Sequence, residues 1–392
     1  MQEIITFFDN LLNKSTPSKP AWNIEHILEN TKPKWNYIDG CMIKSVMDMY
    51  HATGNDNYLA FAKNFIDFYV NEAGEILGYE VEEYNCDNVN EGKVLFDLYK
   101  MYGEEKYKKA IELIYRQVST HPRIGAGNFW HKKIYPNQVW LDGLYMVQPF
   151  YMEYEMTFNN KINYKDIFAQ FKNVQDIMRD EKTGLFYHGY DESKEMFWAD
   201  KETGLSKNFW TRSMGWYAMA LVDTIEKLDE QFFYEYETLQ LYLKTTLDAL
   251  QKYQDPTTKL YYQVTNMGDK EGNYLETSGS CAIAYSLMKG ARLGYLPIYY
   301  YDRGKGIFDA IVEHKLEAAN FVLKDICLVA GLGGMPGKGD YKERDGTYEY
   351  YISEPRVDND AKGVAPFLFA YAEVLFQHAP GAGERKVNEN RC

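Results

Sequence analysis

A carboxylate stands inside an apolar run at residues 136–155, PNQVWLDGLYMVQPFYMEYE. Trp140, Leu141, Leu144, Tyr145, Val147 and Phe150 recur around it at helical spacings, which places Asp142 near the start of a buried helix. Burying a lone carboxylate costs several kcal/mol unless something compensates it, so the residue needs a partner or a task. Bulky apolar neighbours favour the protonated acid, the form that a general acid uses near neutral pH.

Other reactive groups are spread along the chain. FWTRSMGW sets Arg212 between Trp210 and Trp216. A guanidinium among aromatics is a core ion pair or an anion receptor, and the second reading is preferred here. HKKIYPNQVWLD brings His131 and Lys132 close to Asp142, with Lys133 directed to solvent. His188, in the aromatic segment LFYHGYD, suits a structural hydrogen bond as well as it suits chemistry. Asp87 lies in NCDNVNEG beside Asn88 and Asn90, equally open to helix capping and to catalysis. Asp39, Asp358 and Asp360 read as N-caps, because aspartate at a helix start satisfies orphan N–H groups without any chemistry. Tyr37, Ser213, Glu276, Thr277 and Ser278 are further polar residues at helix starts, and Asp191 joins them from a loop. Together they furnish a sugar-like pocket with acids, a cation and tryptophans.

The elements that must position these groups repeat. WNYIDGCMIKSVMDMYHATGN (35–55), NCDNVNEGKVLFDLYKMYGEEKY (85–107), VWLDGLYMVQPFYMEYEMTF (139–158), FWTRSMGWYAMALVDTIEKL (209–228), ETSGSCAIAYSLMKGARLG (276–294) and DNDAKGVAPFLFAYAEVLF (358–376) share one theme. Each opens on polar residues, passes a glycine or small residue, and continues as a helix apolar on more than one face. Such a helix is an enclosed one. Between them lie amphipathic segments at 56–72, 106–120, 164–180, 234–253 and 306–324, with ITFFDNLLNK near the start as a sixth. Six inner and six outer helices in alternation predict an all-α (α/α)6 barrel. If the inner helices start at one mouth, their polar first turns converge there, and Asp142 faces a lined pocket. Arg212, Lys132 and the helix N-termini should make that mouth locally positive. The segments RDEKTGLFYHGYD (179–191) and QDPTTKLYYQV (254–264) look alike and read as small hairpins or loops on the rim, and loops at 121–138, 192–208 and 331–357 precede inner helices.

Composition agrees with such a body. The chain has 392 residues, 45% of them hydrophobic, with 7 Trp, 35 Tyr and 21 Phe. No linker divides it, so one catalytic domain is expected over 1–380, followed by a polar tail at 381–392. A net charge of −14 argues against nucleic acid or anionic membranes as partners. The five cysteines are scattered without CxxC spacing, so neither a zinc site nor a disulfide framework is expected, and a reducing, cytoplasmic setting fits. The start lacks the features of a signal peptide, and no run of about 18 apolar residues is present.

The ordered motifs WLDGLYM, LFYHGYD, WTRSMGW and ETSGS resemble glycoside hydrolase family 105, the unsaturated rhamnogalacturonyl hydrolases of pectin breakdown, across essentially the whole chain. The resemblance implies an (α/α)6 barrel with Asp142 as proton donor and Asp87 as the second carboxylate. It also puts Tyr37, His131, Lys132, Trp140, Met146, His188, Trp210, Arg212 and Trp216 at substrate-lining positions. Many members read RGNGW where this chain has Arg212-Ser213-Met214-Gly215-Trp216, a departure that bears on subsite preference. The implied substrate is an oligosaccharide ending in a Δ4,5-unsaturated uronate, acted on by a monomer or weak homodimer without a cofactor. Three rival functions are an unsaturated glucuronyl hydrolase, an α/α-barrel sugar 2-epimerase using His131 and His188, and a non-catalytic sugar-binding toroid.

Overall fold

The computed structural model describes residues 2–229, 231–334 and 344–378; the segment 381–392, expected as a polar tail, lies outside the described residues. In chain order the helices are α1 (Gln2–Asn13), α2 (Ile24–Glu29), α3 (Tyr37–Thr53), α4 (Asp56–Tyr69), α5 (Lys93–Tyr102), α6 (Glu105–Thr120) and α7 (Leu141–Thr157). They continue as α8 (Tyr164–Met178), α9 (Thr211–Lys227), α10 (Phe233–Gln251), α11 (Thr277–Arg292), α12 (Tyr299–Lys315), α13 (Tyr348–Ser353) and α14 (Ala361–His378).

Burial sorts them into two layers. α6 buries Tyr107, Ala110, Ile111, Ile114 and Val118 along one stripe, the mark of an outer helix. α11 is buried at every position from Thr277 to Ala291, so it is enclosed on all sides. The enclosed helices are α3, α5, α7, α9, α11 and α14; each packs on the next, α5 through the 3₁₀ segment that precedes it, and α14 packs back on α3. The ring therefore closes. α4, α6, α8, α10 and α12 each pack outside the inner helix that precedes them. α1 takes the remaining outer place, with Phe7 edge-on to Phe367 of α14 at 6.3 Å. This is the (α/α)6 barrel expected from the repeats.

The glycine that recurs in the inner-helix starts has a packing reason. A Cβ at Gly40 would lie 2.6 Å from the Cα of Glu91, and one at Gly279 would lie 2.7 Å from the Thr211 side chain. Adjacent inner helices meet almost backbone to backbone at the mouth. Gly40→Ala should cost about 1–3 kcal/mol, the usual range for overpacking, read as a lower urea midpoint at unchanged m value.

Three expectations change. The second repeat does not begin as an α-helix: Cys86–Gly92 is a 3₁₀ segment that runs into α5. The outer pattern at 306–324 stops being helical at Lys315, because Leu316 and Glu317 pair as a strand with Leu323 and Val322, and Phe321 turns the chain at φ 57°. The look-alike segments 179–191 and 254–264 do more than turn on themselves, as the first does where Arg179 bridges Phe186. They supply strands to ribbons formed with the residues just ahead of inner helices. β1 (Gln138–Trp140) pairs with β2 (Gly189–Asp191) ahead of α7, and β3 (Tyr261–Tyr262) pairs with β4 (Leu275–Glu276) ahead of α11. β5 (Leu316–Glu317) pairs with β6 (Val322–Leu323), and β7 (Ile326–Cys327) pairs with β8 (Arg356–Val357). The resemblance between those two segments is real at the turn, where Asp180 accepts from Thr183 and Asp255 accepts from Thr258. Among the described residues no helix is long and apolar enough to cross a membrane.

Candidate active site

The inner helices open onto one neighbourhood: Asp87, Arg212 and Asp360 all act electrostatically on the hydroxyl of Tyr37, the first residue of α3. Asp87 and Asp142 are two of the carboxylates singled out in the sequence.

Asp87 sits in the 3₁₀ segment, whose cap is Asn85; the Asp87 amide donates to Asn85 Oδ1 at 3.0 Å. Its carboxylate is thus free of capping duty and receives Lys132 Nζ at 2.6 Å, with His131 Nε2 at 3.7 Å. Burial alone would raise its pKa, but Lys132 and His131 outweigh burial and hold Asp87 below the usual carboxylate range. Burial pushes His131 down to about 4 against the pull of Asp87, so its imidazole is neutral at neutral pH.

Asp142 stands in the first turn of α7, its side chain 14% exposed, with Oδ2 3.3 Å from His188 Nε2. Neither of those two atoms has a hydrogen-bond partner in the structure, so each remains available to a ligand or to the other. His188 is fully buried, and its Nδ1 lies 2.7 Å from the hydroxyl of Tyr351 on α13. Burial and then the charge of Asp142 raise the Tyr351 pKa well above normal. Tyr351 went unnoticed in the sequence, since YEYYIS carries no signal that it meets a histidine from another quarter of the barrel. Trp140 joins the two carboxylate groups, stacking on His131 at 4.3 Å and presenting its edge to His188 at 5.4 Å. Trp210 lies 4.8 Å from His188 on another side.

Arg212 is buried, and its guanidinium lies 4.7 Å from the Trp210 ring. It donates to the carbonyls of Cys327 and Leu328 and to the Ser278 hydroxyl, while its Nε stays unpartnered. Much of its donor capacity therefore braces β7. Met146 and Trp216 are each 1% exposed and belong to the barrel core, where Trp216 stacks on Tyr145 at 4.9 Å. Tyr37, Asp87 and Lys132 do line a cavity of about 250 Å³, walled on its other side by Asn23, Glu25, His26 and Lys34.

The caps divide. Asp360 caps α14, accepting from the Lys362 amide at 2.9 Å. Asp39 does not cap α3, because Asn36 fills that position; Asp39 instead accepts from Trp22, Asn23 and Asn36 and ties residues 22–36 to the barrel. Asp358 is exposed. Glu276 caps α11 through Ser278 and Gly279 and also accepts from the Cys327 amide. Asp191 is a turn builder, accepting from Ser193 and Met196. Of the cations at the mouth, Lys132 pairs with Asp87, and Lys362, which the sequence reading passed over, pairs with Asp360 and Glu25.

Residues 12–377 match the family model of Glycosyl Hydrolase Family 88. A solved family 105 glycoside hydrolase from C. acetobutylicum superposes with a TM-score of 0.83 at 44% identity, covering 89% of this chain and 96% of that one. Protein Atu3128 of Agrobacterium fabrum is 38% identical over 235 residues, 58% of this chain and 97% of that protein. The unsaturated rhamnogalacturonyl hydrolase YesR of Bacillus subtilis is 26% identical over 301 residues, 74% of this chain and 81% of its own length. With the closed ring of helices and these likenesses in agreement, the chain belongs to the family 88 and 105 glycoside hydrolases.

Proposed function

We propose that the enzyme removes a Δ4,5-unsaturated galacturonyl residue from lyase-generated rhamnogalacturonan oligosaccharides by hydrating the C4=C5 double bond. The observation that carries this reading is the Asp142–His188–Tyr351 chain beside an Asp87 held ionised by Lys132. YesR supports the galacturonyl choice, since its name specifies that activity.

In this reading Asp142 protonates C4, and the positive charge that develops at C5 and the ring oxygen is met by water at C5. Asp142, now a carboxylate, takes the proton from that water. The resulting hemiketal opens to a ketone at C5, and the hemiacetal left at C1 collapses to an aldehyde as the neighbouring sugar departs with its oxygen. No glycosyl-enzyme bond forms, so carboxylate separation does not decide the outcome as it does in retaining and inverting enzymes. The His188 tautomer that donates from Nδ1 to Tyr351 leaves Nε2 as an acceptor for the Asp142 acid proton.

The test is the loss of conjugated ultraviolet absorbance on lyase-digested rhamnogalacturonan, compared with unsaturated chondroitin disaccharides. Loss on the chondroitin products alone replaces galacturonyl by glucuronyl specificity; no loss on either overturns the hydration chemistry. Tyr351→Phe tests the relay. It keeps the ring that stacks on Trp210 at 6.1 Å but removes the partner of His188 Nδ1. A fall in kcat of roughly 2–10-fold is expected, the equivalent of one net hydrogen bond, with KM little changed.

A further inference from the structure

Beneath the mouth, a lysine is enclosed within the barrel. Lys93, the first residue of α5, is buried. Its Nζ donates to Asn90 Oδ1 and to the Tyr145 carbonyl, each at 2.7 Å, and lies 3.5 Å from the centre of the Tyr145 ring. Asn90 in turn donates from Nδ2 to the Tyr37 carbonyl at 3.3 Å and to Cys41 Sγ at 3.3 Å. Tyr37 opens α3, Asn90 follows Asp87 by about one turn of the 3₁₀ segment, and Tyr145 follows Asp142 by about one turn of α7.

We propose that Lys93 is a positioning residue: with Asn90 it locks together the first turns of three adjacent inner helices and so sets the separation and aim of Asp87 and Asp142. This rests on the roles given to those carboxylates under the proposed function. Both acceptors of Lys93 are neutral, so the site gains geometry from it more than Coulomb energy. The groups that face it are Cys41 and Lys44 from α3, Tyr145 from α7, Asp223 from α9 and Lys289 from α11. Burial, only partly offset by Asp223, brings Lys93 down to about 7. A buried amine in a place that methionine would fill needs a reason, and the lock supplies one. A neutral amine still donates to both acceptors, so the lock survives titration.

Lys93→Met, Asn90→Leu and the double variant are compared with wild type on the unsaturated disaccharide that it turns over. A displacement of about 1 Å at a reacting group costs up to about 10²-fold. Lys93→Met should therefore lose roughly 10–100-fold in kcat while KM stays within about threefold. The double variant should be no worse than the poorer single one, because the two residues act as one unit. A folded Lys93→Met with wild-type kcat, or losses that multiply in the double variant, overturns the proposal. If Lys93→Met does not fold, Asn90→Leu, which removes the partner that ties Lys93 to Tyr37, carries the test under the same criteria. If wild type acts on no unsaturated uronide, the hydration reading fails separately. The crystal structure of the Lys93 variant then judges the lock: a shifted Asp87–Asp142 separation supports it, and an unchanged one overturns it.

Discussion

Asp142→Asn should retain the fold and lose about 10²–10⁴-fold in kcat, the usual share of general acid–base catalysis. The amide is nearly isosteric with the carboxyl and still places polar atoms opposite His188 Nε2, 3.3 Å from Asp142 Oδ2 in the wild type. It has no acid proton to deliver to carbon and no carboxylate to take one from water. The stability cost should stay within about 1 kcal/mol, the value of a negative charge in the first turn of a helix. The competing view is that Asp142 only braces the start of α7, where Trp140 provides no side-chain cap. That view predicts the reverse, a lowered melting temperature with kcat per folded molecule kept. Melting temperature and kcat measured on one preparation separate the two.

Asp87→Asn should cost activity by roughly 10²-fold or more and should alter stability in a pH-dependent way. Asp87 is held below the ordinary carboxylate value, so in acid the folded state binds fewer protons there than the unfolded chain does. Its pairing with Lys132 is therefore fully present above about pH 4, the unfolded value, and is lost as pH falls through the lower folded value. At neutral pH the variant should be less stable by about 1–3 kcal/mol, discounted for the partial exposure of Lys132. The gap between wild type and variant should close in stronger acid. Wild-type activity should also persist further into acid than a free carboxylate permits, then fall as Asp87 protonates. A stability gap that stays constant from pH 7 to pH 3 would show that the Asp87–Lys132 pair is not the source of the difference.

The ring of helices was legible because it is written in local periodicity. An inner helix such as α11, buried from Thr277 to Ala291, announces itself by apolar residues on all faces, and an outer one such as α6 by a single stripe. Turns such as Asp180–Thr183 are equally local. Capping was half legible: Asp360 caps as read, whereas Asp39 lost that place to Asn36 because Trp22 and Asn23 approach its carboxylate from a distant segment. The end of α12 was misplaced because strand pairing of Leu316 with Leu323 overrides a helical period that continues past Lys315.

What the sequence determined by itself was the (α/α)6 ring and the set of polar residues at its inner-helix starts. Only closure of the ring decided which of them touch. It brought Tyr351 to His188, spent Lys132 on Asp87, drew the Arg212 donors onto β7, and turned Trp216 onto Tyr145 in the core. Periodicity, caps and turns depend on neighbours a few residues away and survive in any reading of the chain. The pairings at the mouth depend on backbones that approach closely across the ring, as Gly40 does to Glu91, and a difference of about one ångström there redirects a hydrogen bond.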